Sequence, residues 1–103
     1  MKTFRDIEFF QSTGGNLKSR TKFDNGFELS VIAGELAYSE PRENNPDPNH
    51  FLAFEIAIFN DKGEFATKDI LLGHDDDVKG WQTRADINTI MMLIQGKQYE
   101  VHK

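Results

Sequence analysis

Cysteine is absent from the chain. That removes a disulfide framework, a zinc–thiolate site and a thiol nucleophile, and it is compatible with a reducing compartment. Proline is scarce, and all three copies fall between Pro41 and Pro48. No long hydrophobic run exists either. The most apolar windows, 51–59 and 87–94, are too short to cross a bilayer. The opening residues lack a charged-then-apolar leader with a small-residue cleavage site. Also missing are a phosphate-cradling glycine loop with its Lys-Ser/Thr, a dinucleotide fingerprint, and any nucleophile motif. The three histidines, His50, His74 and His102, share no metal-ligand spacing.

What is present is a chain of 103 residues with nine Phe among twelve aromatics and a net charge of −5. One compact domain spanning 1–103 is expected, because a second core would be too small to hold together. The charge is uneven. Residues 1–38 carry five basic and five acidic side chains, whereas 39–77 carry three basic and ten acidic, a net of −7. Residues 78–103 carry four basic and two acidic, a net of +2. A negative middle third repels phosphate backbones, so direct nucleic-acid binding is not expected.

Along the chain, 1–10 fits either a strand or one to two helical turns, and Ser12-Thr13-Gly14-Gly15-Asn16 ends it. Leu17, Ser19, Thr21 and Phe23 then alternate with Lys18, Arg20 and Lys22, which reads as a strand with a wet basic face. Asp24-Asn25-Gly26 supplies a tight turn into a second strand carrying Phe27, Leu29, Val31 and Ala33. Pairing the two brings the basic face beside Glu28. Residues 39–50 hold every proline and several Asn, and are expected to form a mobile, solvated loop. Residues 51–59 predict a strand with Leu52, Phe54, Ile56 and Ile58 on one face. Its two largely apolar faces point to a central position with a helix on one side. Asn60-Asp61-Lys62-Gly63 predicts a second hairpin turn into a strand at 64–68. The helix is expected from Arg84 to about Gln95, N-capped by Thr83 with Asp86 completing a capping box. Ile87, Ile90, Met91 and Ile94 form its buried stripe, and Gly96 its left-handed cap. A short last strand is expected in 97–103. The fold class is therefore α+β: a twisted antiparallel sheet of four or five strands with one C-terminal helix packed on one face.

The acidic run Gly73-His74-Asp75-Asp76-Asp77-Val78-Lys79-Gly80 is the most suggestive local chemistry. Counted as a calcium loop, Asp75, Asp77, Gly80 and Asp86 fall at positions 1, 3, 6 and 12. Lys79, however, stands where an oxygen ligand belongs, and Asp86 is shorter than the usual glutamate. A solvated acidic loop leading into a capped helix is the plainer reading, with Asp75, Asp77 and Asp86 as weak metal candidates. No cofactor is expected. His74 is read as a surface residue and Glu55 as a paired or edge-facing carboxylate in an apolar strand. The single Trp, Trp81, just ahead of the helix, has two readings. Core packing is the commoner fate in so small a domain, and an exposed anchor for a partner is the alternative.

The order Phe23-Asp24-Asn25-Gly26-Phe27, Leu29-Ser30-Val31, a Ser/Pro loop, Phe54-Glu55-Ile56-Ala57, then Asp77-Val78-Lys79-Gly80 before Thr83 and a closing helix resembles small uncharacterised accessory proteins of tailed bacteriophages. The resemblance spans Phe23 to Ile94. It implies a small, acidic, cytoplasmic protein of an infected bacterium that binds and inhibits a host protein. On that footing the expected function is a non-enzymatic binding protein facing a basic host partner. The expected contact surface is Glu40, Glu43, Asp47, Asp75, Asp76, Asp77 and Trp81. The alternatives are a small-molecule or divalent-metal module, and an assembly protein acting as a homodimer or larger homo-oligomer.

Overall fold

A computed structural model describes residues 1–97 of the chain. Its centre is a four-stranded antiparallel sheet in the order β3-β4-β5-β6, formed by Arg20–Lys22, Glu28–Ile32, Phe54–Phe59 and Val78–Gln82. A separate two-stranded ribbon pairs β1 (Phe10–Gln11) with β2 (Leu17–Lys18). The long C-terminal helix is α2 (Arg84–Gly96), and a four-residue α1 (Thr67–Ile70) precedes β6. The α+β class and the helix on the sheet are as the sequence predicts.

Alternation in the sequence explains the layers. Leu29 and Val31 of β4 stand beside Ile58 and Ile56 of β5 in register, and all four are fully buried. Ile87, Ile90, Met91 and Ile94 of α2 belong to the same core cluster. β5 is central, flanked by β4 and β6. The hairpin forms at Asp24–Gly26, with Gly26 at φ +93°. Arg20 then meets Glu28 at 3.2 Å while Lys18, Arg20 and Lys22 stay exposed.

Several local expectations are corrected. The first ten residues split into a 3-10 turn, Phe4–Asp6, and the strand β1. Leu52 is not part of the core face of β5; it precedes the strand and is 70% exposed. The strand expected at 64–68 reduces to a single bridge between Phe59 and Phe65 before α1 begins. Buried Thr67 explains the switch, because its hydroxyl donates to Asp77 O at 2.6 Å and accepts from Ile58 N at 3.0 Å. The acidic loop ends at Asp77, and 78–82 is the edge strand β6 instead of loop. Gly96 closes α2 inside the helix, and the C-cap is Lys97 at φ −72°. The strand expected in 97–103 falls almost wholly outside the described residues.

The N-terminus of α2 is built as the capping box anticipates. Thr83 Oγ accepts from Asp86 N at 3.1 Å, and Asp86 Oδ2 accepts from Thr83 N at 3.0 Å. The Thr83 amide, then its hydroxyl, and the nearby Lys79 charge hold the Asp86 carboxyl below its usual value. A lowered folded-state value means that the contribution is present above the unfolded pKa of about 4 and is lost as pH falls through the folded value. Thr83→Ala should cost about 1 kcal/mol at pH 7. In urea titrations from pH 7 to pH 2, Asp86→Asn should be less stable than wild type at neutrality and converge with it in acid. A gap that persists at pH 2 would contradict the assignment.

Candidate functional site

The feature that stands out on the surface lies where β6 is irregular. Phe54 pairs with Gln82 and Ile56 with Lys79, so Gly80 and Trp81 together oppose the single residue Glu55. That two-against-one count is a β-bulge, a device that redirects a side chain at a sheet edge. Trp81 sits in it at φ +52°, the only non-glycine with positive φ among the described residues. A bulky residue in the left-handed region costs roughly 1–2 kcal/mol. Its side chain is 56% exposed, which overturns the core-packing expectation. The physical reason is the bulge, which sets the indole at the sheet edge beside Tyr38.

The indole is not isolated. Tyr38, 46% exposed, packs beside it with ring centroids 5.2 Å apart and planes tilted by 34°. The backbone fixes the pair: Trp81 N donates to Tyr38 O at 2.9 Å. Gly80 is required here, because a Cβ on it would come within 2.6 Å of Tyr38 Cβ. Tyr38 N in turn donates to Glu55 Oε1 at 3.0 Å. This satisfies the lone carboxylate of β5 with a backbone donor, in line with a paired Glu55. The Arg42 guanidinium lies 5.2 Å from the Tyr38 ring centre. Tyr38, Glu55 and Arg42 complete a cluster of which the sequence signalled only Trp81 and the unusual carboxylate.

The expected contact residues separate into three groups. Glu40 stays beside the aromatic pair, two residues from Tyr38, its backbone bridged to Ala53. Glu43 and Asp47 lie farther along the proline segment: Glu43 is 3.6 Å from His50, and Asp47 caps a 3-10 turn, Pro48–His50, by accepting from Asn49 N. That segment is tied down at two points. Asn44 accepts from Glu35 N at 2.9 Å, and Arg84 donates to both Pro48 O and Phe51 O at 2.7 Å. Asp75, Asp76 and Asp77 form the turn at the other end of β6. Asp77 is 3.8 Å from Lys68, Asp76 Oδ1 accepts from Asp77 N at 2.7 Å, and Asp75 is exposed. His74 is half-buried, with Nε2 2.8 Å from Val78 O.

The metal candidates do not converge. Asp86 is engaged in its capping box and Asp77 faces Lys68. Among the described residues no three His, Asp or Glu side chains are grouped to hold an ion. No described helix is long and apolar enough to cross a membrane. The chain matches no family model, and comparison with curated proteins and with solved structures found no match.

Proposed function

We propose that this is a non-enzymatic binding protein that docks a basic partner protein through the Tyr38–Trp81 surface. In the context of a phage-infected bacterial cytoplasm it would inhibit or modulate a host factor. One observation carries the reading: a tryptophan held half-exposed at positive φ, at a cost to the fold. Backbone strain of this kind clusters at working surfaces, and Trp and Tyr dominate binding hot spots. The acidic flank at Glu40, with Glu43 and the 75–77 turn farther off, supplies steering toward positive charge. Self-association through α2 is a second reading, favoured by the exposed Met92 and Leu93 on its outer surface.

Immobilised protein incubated with bacterial lysate should retain a basic protein, and Trp81→Ala should reduce its recovery by about tenfold or more. Replacing Asp75, Asp76 and Asp77 together with Asn should weaken capture and flatten its salt dependence. Recovery indifferent to Trp81→Ala would overturn the proposal.

A further inference from the structure

The Tyr38–Trp81 platform already carries one guanidinium, its own. Arg42 rests 5.2 Å from the Tyr38 ring centre, and among the described residues no carboxylate lies within ion-pair distance of it. That is a notable absence, because Glu40 and Glu43 flank it in sequence. Planar guanidinium groups stack on aromatic faces and are more weakly hydrated than ammonium groups. The indole beside it is half-exposed, and tryptophan is the strongest cation acceptor of the aromatic side chains. A carboxylate is also at hand. Glu55 opposes Trp81 across the bulge and uses Oε1 for the Tyr38 amide, which leaves Oε2 for another donor.

Resting on the binding role proposed above, we infer that the group taken by this platform is an arginine side chain of the partner. Its guanidinium stacks on Trp81 and donates to Glu55 Oε2, and Arg42 is an intramolecular competitor that holds part of the platform in the free protein. Charge complementarity supports this occupant. Residues 35–55, which supply Tyr38 and Glu55, carry Glu35, Glu40, Glu43, Asp47 and Glu55 against Arg42, and β6 adds Lys79, a net of −3 for the two segments. Arg42 thus sets the affinity for arginine ligands without being part of the recognition surface.

The chain's single Trp makes the test direct. Trp81 fluorescence of the full chain is titrated with a blocked peptide of alternating Gly and Arg, with the matched Gly/Lys peptide, and with a short single-stranded DNA. The arginine peptide should quench saturably, with an affinity about fivefold above the lysine peptide. Arg42→Gln should tighten its binding by about threefold, and Glu55→Gln, which keeps an acceptor for Tyr38 N, should weaken it. Equal binding of the two peptides, an Arg42→Gln variant with unchanged affinity, or quenching by the DNA in place of the peptide would each overturn the inference. Such a result would leave the binding role standing if Trp81→Ala still abolished partner capture, so the two failures are distinguishable.

Discussion

Phe54→Ala should lower the free energy of unfolding by about 3–5 kcal/mol. Phe54 is fully buried on β5 at the meeting point of three other rings. Phe4 lies 5.4 Å away between centroids, Phe9 5.7 Å and Phe51 5.9 Å. Truncation removes the apolar area of the ring and leaves a hole bounded by groups that arrive from the N-terminal turn, the segment before β5 and the strand itself. These are held by separate backbone hydrogen bonds and cannot all close on the gap. A domain of this size has a margin of about 5–15 kcal/mol, so the variant should sit near the edge of folding at 37 °C. Urea denaturation should show a large fall in midpoint at nearly constant slope. Phe10→Ala, at an exposed ring on β1, is the control and should change stability by less than about 0.5 kcal/mol. Equal effects at the two positions would refute this view of the core.

Arg84→Ala should cost about 2–4 kcal/mol, although Arg84 has no ion-pair partner among the described residues. Its worth lies in carbonyls. Two 2.7 Å bonds to Pro48 O and Phe51 O join the first turn of α2 to the end of the proline segment. A hydrogen bond from a charged donor is worth about 1.5–3 kcal/mol. The guanidinium also lies over the Phe4 and Phe54 rings at 5.2 and 5.3 Å. Arg84→Lys should recover less than half of the loss, because an ammonium lacks the fixed fork that reaches two carbonyls at once. Faster proteolysis within 41–48 should accompany the alanine variant. The double variant with Phe54→Ala should fall short of additivity by about 0.5–2 kcal/mol, since the two side chains touch. Strict additivity would argue against the cation–π contact.

The two positions also show what the sequence could and could not tell. Periodicity identified β3, β4, β5 and α2, because each has apolar residues at a regular spacing and a turn or cap residue at its boundary. The hairpin at Asn25-Gly26 and the Thr83–Asp86 box are local chemistry and were legible as such. β6 was hidden because Gly80 and the positive φ of Trp81 break its alternation, and the same bulge brings the indole to the surface. α1 was hidden by its length, a single turn fixed by the long-range bonds of Thr67. The site was half legible. Trp81 and the acidic segment could be named, but Tyr38 and Arg42 join it only because Gly80 admits the close approach of the Tyr38 segment, with which it shares no sequence pattern. The sequence marked Arg84 only as the first residue of the helix, because its acceptors are backbone carbonyls some 33 to 36 residues away.

The N-terminal turn has a consequence for the order in which the molecule assembles. Lys2 N donates to Gln95 Oε1 at 2.8 Å, Gln95 Nε2 donates back to Lys2 O at 2.7 Å, and Phe4 N donates to Asn88 Oδ1 at 2.8 Å. Those partners are separated by 84 to 93 residues. Closing a loop of that length has the largest chain-entropy cost among the hydrogen bonds of the described residues, and contacts this remote slow folding. On the ribosome the Phe4–Asp6 turn emerges before α2 and must wait for it. Phe4 therefore docks only after α2 has been made, and the aromatic cluster around Phe54 is sealed when the N-terminal turn meets that helix.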